Sequence, residues 1–161
     1  IVEKTGGGSG LVPDAVSMAK SLGGGFPIGA VWLGEKLADV LGPGTHATTY
    51  GGTALACAVA LEVLKIIDEE DLAKNIDRMG EELKSGLGKL SGRGWVGEVR
   101  GFGGMVGVTV KGKSHAEVAE TLAKAGLLVV PAGSDVLRFL APYSVSMEEV
   151  REAVKKVEST L

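Results

Sequence analysis

Residues 18–30 read Met18-Ala19-Lys20-Ser21-Leu22-Gly23-Gly24-Gly25-Phe26-Pro27-Ile28-Gly29-Ala30. One lysine stands just ahead of a glycine triplet and an apolar segment. That order places its amine in a tight turn at the edge of a buried sheet, not on a solvated helix face. A lysine ammonium that is partly desolvated, or set beside other cations, becomes an amine able to condense with an aldehyde. The plainer reading is a helix end, with Lys20 beside the last carbonyls and Gly23 as the left-handed stop. The local pattern leaves both open, so the decision rests on the rest of the chain.

The 161 residues, 45% of them hydrophobic, suffice for one domain or for a domain and part of another, with a sizeable core. No uninterrupted apolar run is long enough to span a bilayer, and the reading is of a soluble, cytoplasmic protein without a membrane partner. A net charge of -3 and a pI near 5.5 argue against a nucleic-acid partner, since neutralising phosphates needs a concentrated basic face. Aromatic residues at 4% give no base-stacking surface. The single cysteine, Cys57, rules out an intramolecular disulfide and suits a reducing compartment. No metal site is expected. The chain begins with Ile1, which suggests an excerpt of a longer polypeptide or a processed one. Its 26 glycines cluster between apolar runs, where backbone must turn sharply or approach a ligand.

Taken in order, Gly6-Gly7-Gly8-Ser9-Gly10 has the composition of a flexible linker. Pro13-Asp14 predicts a short helix over Ala15 to Ser21, and Pro27 to Leu33 an apolar strand covered on both faces. Glu35 to Leu41 reads as a short surface helix. The polar loop Thr45-His46-Ala47-Thr48-Thr49-Tyr50-Gly51-Gly52 leads into a small-residue helix from about Thr53 to Asp68, of a kind usually buried. A second helix runs to about Leu90, with Leu72, Ile76, Met79, Leu83 and Leu87 as its apolar stripe. Strands are expected over Val96–Arg100, Met105–Val110, Leu127–Pro131 and Val136–Leu140. Helices are expected over His115–Ala125 and from Met147 to Leu161, the last capped by Ser146. A change of subdomain falls within or at the end of the long helix. Residues 1–75 are read as part of a large α/β domain and 76–161 as a small carboxy-terminal α+β domain.

Three separated segments resemble one family, the class III (subgroup II, ornithine-type) aminotransferases that use pyridoxal phosphate. Pro13-Asp14 through Ala30 is similar to the segment around that family's cofactor lysine. Gly44-Thr45-His46 through Cys57 is similar to its Gly-x-His-x-x-Thr-Tyr/Phe-Gly-Gly stretch. Val136-Leu137-Arg138-Phe139 with Pro142 is similar to its strand bearing a substrate-binding arginine. Within the family, Glu98-Val99-Arg100-Gly101 and Ala125-Gly126-Leu127-Leu128 most resemble the acetylornithine aminotransferases.

The resemblance implies the late part of the type I pyridoxal-phosphate transferase large domain, followed by the small domain. It implies that Lys20 holds the cofactor aldehyde as a Schiff base and then moves a proton between substrate and cofactor carbons. It makes Thr49 a ligand of the cofactor phosphate, in a loop that usually serves the neighbouring subunit, and hence implies a homodimer. Arg138, on an apolar strand, would meet a substrate carboxylate. The reaction implied is transfer of the ω-amino group of N-acetylornithine to 2-oxoglutarate, a step of arginine biosynthesis. Other ω-amino donors (ornithine, 4-aminobutyrate, succinylornithine) stay open. Bland alternatives stand beside each residue: a helix cap for Thr49, an ion pair with Asp135 for Arg138, a loop histidine for His46, and a loop-ordering role for Arg100. The family's phosphate cup, ring-stacking aromatic and pyridine-pairing acid match no position here. The isolated chain therefore also reads as a non-catalytic fragment or dimerisation module.

Overall fold

The structure is a computed structural model that describes residues 12–161, so the Gly6–Gly10 linker reading lies outside the described residues. In chain order the elements are β1 (Ala15–Met18), a 3-10 turn (Lys20–Gly23), β2 (Ala30–Leu33), a second 3-10 turn (Glu35–Leu37), α1 (Ala54–Glu69) and α2 (Leu72–Gly88). Then follow β3 (Val96–Phe102), β4 (Met105–Val110), α3 (His115–Lys124), β5 (Val130–Ala132), β6 (Val136–Leu140) and α4 (Met147–Thr160). They form two compact units that divide between Ile67 and Asp68.

In the first unit β1 and β2 form an antiparallel ribbon, Ala15 opposite Leu33 and Met18 opposite Ala30. The helix expected over Ala15 to Ser21 is therefore absent. Pro13-Asp14 signals a helix start locally, but ladder pairing wins: Asp14 extends the ribbon by accepting from the Gly34 amide at 2.8 Å, and its carboxylate meets Lys36 at 3.3 Å. The strand expected over Pro27 to Leu33 is shortened to its last four residues, and it is not covered on both faces. Val31 is 61% and Trp32 44% exposed. Glu35 to Leu41 yields only one 3-10 turn. Helix α1 has the expected span, yet only Ala56 and Ala60 are buried, so small residues here do not mark an enclosed helix.

The second unit is a four-stranded antiparallel sheet in the order β3-β4-β6-β5. Period-two alternation decides its faces. Val106, Val108 and Val110 of β4 and Leu137 and Phe139 of β6 point to the core. Gly107 and Arg138, in register with one another, point the other way. Met79, Leu83 and Leu87 of α2, Val118 and Leu122 of α3, and Val150 and Val157 of α4 complete the core. The stripe read on α2 is thus its packing face, with Leu72 and Ile76 half-buried at its start. Fully burying each large aliphatic side chain contributes roughly 1.5–3 kcal/mol.

Two local features fix the helices in place. A Cβ added at Gly80 would fall on the carbonyl oxygen of Gly103, so α2 rests directly against the β3–β4 turn and only glycine permits it. At α4 the Ser146 hydroxyl accepts from the Glu149 amide at 3.2 Å while the Glu149 carboxylate accepts from the Ser146 amide at 2.8 Å. The cap expected at Ser146 is present, and Glu149 makes it reciprocal.

Candidate functional site

Lys20 follows β1 by one residue and opens the first 3-10 turn with φ +54. It does not close an α-helix, which removes the helix-end reading. An L side chain in the left-handed region costs about 1–2 kcal/mol, and such strain persists only where neighbouring structure imposes it. Here three successive turns impose it: Leu22 N–H donates to Ala19, Gly24 to Ser21 and Phe26 to Gly23, at 2.8–3.1 Å. Gly24, also left-handed, lies so close to α1 that an added Cβ would sit 3.1 Å from Val63 Cγ2. The Lys20 side chain is exposed and has no ion pair or hydrogen bond among the described residues. The amine thus stands free at the crest of a turn tied to α1, and the buried sheet edge expected around it is instead an exposed ribbon.

Thr49 lies in the loop before α1, exposed, and its hydroxyl has no hydrogen bond among the described residues. The helix cap suggested for it belongs to Thr53, whose Oγ1 accepts from the Ala56 amide at 3.3 Å and whose carbonyl accepts from Cys57 at 2.9 Å. Thr53 was legible as a threonine directly ahead of an alanine run. The amides of Ala54 and Leu55 belong to the first turn and lie outside the helical ladder. Free amides at a helix start, with an unpaired hydroxyl just upstream, suit an anionic group. His46 is exposed in the same loop.

Arg138 is half-buried on β6, and its Nε is buried without a hydrogen-bond partner. The internal acid proposed for it is engaged elsewhere: Asp135 Oδ1 accepts from Ser134 Oγ at 3.3 Å. Arg138 has no carboxylate partner among the described residues. A guanidinium so placed retains its desolvation cost without the compensating anion, the condition under which an incoming carboxylate is bound. Arg100 is different. Its Nη1 meets Glu98 Oε2 at 2.6 Å on the same strand, so it orders β3 rather than a loop. Asn75 of α2 was missed by sequence reasoning. Its Nδ2 donates to the Tyr143 carbonyl at 2.8 Å and the Val145 carbonyl at 2.9 Å, pinning the segment that follows β6. A single asparagine in a helix carries no signal of that role.

Lys20 and Thr49 belong to the first unit and Arg138 to the second. No cluster of metal-ligating side chains occurs among the described residues, and no helix among them is long and apolar enough to cross a membrane.

Comparison with known proteins places these features in context. A family profile described as aminotransferase class-III matches residues 5–161. An acetylornithine aminotransferase from Nostoc sp. is 40% identical over 157 residues, covering 94% of this chain and 36% of the relative. A succinylornithine transaminase from Salmonella agona is 41% identical over 145 residues, covering 88% of this chain and 36% of the relative. Among solved structures, the ornithine aminotransferase from Toxoplasma gondii, with partial occupancy of PLP at its active site, superposes with a TM-score of 0.85 at 35% identity. That match covers 92% of this chain and 36% of that one. The chain spans little more than a third of the length of these relatives.

Proposed function

This chain belongs to the class-III aminotransferases, and from that premise we propose that it is the carboxy-terminal portion of a pyridoxal-phosphate enzyme transferring the ω-amino group of N-acetylornithine to 2-oxoglutarate. The fold is the corresponding part of the type I aminotransferase architecture. The observation that carries the proposal is Lys20: an exposed amine, without an ion pair among the described residues, on a backbone held at positive φ.

Pyridoxal phosphate, when bound, supplies an electron sink that stabilises negative charge on the substrate carbon. The chain's own residues do the rest. Lys20 Nζ would hold the group through its aldehyde, with loss of water, and when free would serve as the base that takes a proton at one carbon and returns it at another. Its freedom from ion pairs leaves Nζ available for both tasks. The Thr49 hydroxyl and the first-turn amides of α1 would hold the phosphate of the partner subunit's cofactor, where the helix dipole favours the dianion. The Arg138 guanidinium would bind the substrate carboxylate. The residues present fit these roles in chemical type: a free amine, an unpaired hydroxyl at a helix start, and a guanidinium lacking an internal anion.

The rest of the reading belongs to the same proposal. Residues 1–75 form part of the large cofactor domain and 76–161 the small domain. The enzyme is a cytoplasmic homodimer in which the Thr49 loop serves the partner's cofactor, and the step belongs to arginine biosynthesis. Relatives that act on acetylornithine and succinylornithine support an acylated ornithine over ornithine or 4-aminobutyrate as donor. The test is turnover by the longer protein carrying this chain. N-acetylornithine with 2-oxoglutarate is expected to give the highest kcat/KM, and a preference for 4-aminobutyrate would overturn the assignment.

A further inference from the structure

The turn that opens with Lys20 is closed by Gly24, where an added Cβ would sit 3.1 Å from Val63 Cγ2, tighter than side chains ordinarily pack. Val63 lies half-buried on the face of α1 that also carries the buried Ala56 and Ala60. A valine in a helix is nearly confined to one χ1 rotamer, so its methyl is a fixed stop and not a chain that swings aside. Resting on the reading of Lys20 as the lysine that takes the cofactor aldehyde, we propose that Val63 is a positioning residue for it. The Cγ2 methyl seats Gly24 and thereby keeps Lys20 in the left-handed conformation that aims Nζ.

Hydrogen bonds within the turn set its shape: Leu22 N–H donates to Ala19, Gly24 to Ser21 and Phe26 to Gly23. Ile28, whose Cγ2 stands 2.8 Å from where a Gly23 Cβ would lie, belongs to the same segment and moves with it. Val63 adds a contact from a different element, a 16-residue helix. A strained residue persists only where its surroundings over-determine it, and a stop on a long helix supplies what a short turn lacks. The strain matters for aim. Release of Lys20 from φ +54 to the ordinary negative region would turn its Cα–Cβ bond by roughly 120° about N–Cα, and the stem would carry Nζ elsewhere.

Val63→Ala and Val63→Thr separate the seat from the helix. Alanine removes the methyls yet favours α1, being the better helix former, whereas threonine keeps the branch at Cβ and satisfies its hydroxyl on the carbonyl one turn back. Two readouts are taken on the purified chain. One is the strong NMR cross-peak between a residue's own amide hydrogen and Hα that a positive φ produces, followed at Lys20. The other is the rate of pyridoxal phosphate capture on Lys20, fixed by borohydride and mapped by peptide, against capture on the other lysines. Val63→Ala is expected to weaken the Lys20 cross-peak and to slow capture there about tenfold, with capture on the other lysines and the circular dichroism unchanged. Val63→Thr is expected to match the unaltered chain in both. A cross-peak or a Lys20 rate that survives Val63→Ala, a general rise in labelling of all lysines, or an equal loss in Val63→Thr would overturn the proposal. Absence of capture on Lys20 in the unaltered chain would overturn the reading of Lys20 itself, and the cross-peak, which involves no cofactor, would still decide whether Val63 holds the turn.

Discussion

Replacing Lys20 by glycine and by alanine tests the strain at its backbone. At an ordinary exposed position the glycine variant is the less stable by roughly 0.5–1 kcal/mol, because glycine loses more conformational freedom on folding. At φ +54 the order should invert. Alanine keeps the Cβ and with it the left-handed penalty of about 1–2 kcal/mol, which glycine does not incur. Subtracting glycine's entropic cost leaves Lys20→Gly more stable than Lys20→Ala by roughly 0.5–1 kcal/mol. The side chain itself adds little to either difference, since it is exposed and makes no hydrogen bond or ion pair among the described residues. The assay is urea unfolding followed by Trp32 fluorescence, in a Trp95→Phe background so that only the first unit reports. With a slope of about 1 kcal/mol/M for a unit this small, the midpoints should differ by roughly 0.5–1 M. An alanine variant as stable as the glycine variant, or more so, would refute the argument that Lys20 is held in a strained turn.

Other positions give equally direct expectations. Gly80→Ala should destabilise the second unit by about 3 kcal/mol or more in denaturant titration, because the new methyl meets the Gly103 backbone, which cannot rotate away. Arg138→Leu should raise the stability of the same unit by about 1 kcal/mol by removing a buried unpaired Nε, while abolishing carboxylate binding by NMR titration. At Glu149 the hydrogen bond from the Ser146 amide, then that from the Ser146 hydroxyl, hold the carboxyl below its usual range. A carboxyl with a lowered folded pKa contributes stability above its unfolded value, about 4.3, and loses it as pH falls through the folded one. Ser146→Ala removes only the hydroxyl's share and keeps the amide, so it should flatten part of the loss of stability below pH ~4.3 in an acid titration followed by circular dichroism, and Glu149→Gln should remove this contribution entirely.

The second unit was legible because its signals are redundant. Alternation in Met105–Val110 and Val136–Leu140, helical spacing from Ile76 to Leu87 and the Ser146 cap each specify the same element that packing selects. The β5 boundary was less so, since Leu127 to Val129 continue the apolar run without joining the ladder. The first unit misled for a physical reason. Pro13-Asp14 and Lys20-Gly23 are local helix signals, whereas the ribbon is set by pairing between residues 15–18 and 30–33, a non-local choice that a short window does not contain. Lys20, Thr49 and Arg138 were singled out through residue type and family resemblance. Their surroundings were not: the positive φ at Lys20 and the cap at Thr53 arise from backbone geometry.

The central claim is that Lys20 is the covalent anchor of the cofactor. Mixing the chain with pyridoxal phosphate, reducing with borohydride and mapping the labelled peptides tests it most directly. One dominant label on Lys20, lost in Lys20→Ala, is expected. Label spread over the other surface lysines, or uptake unchanged in Lys20→Ala, would contradict it.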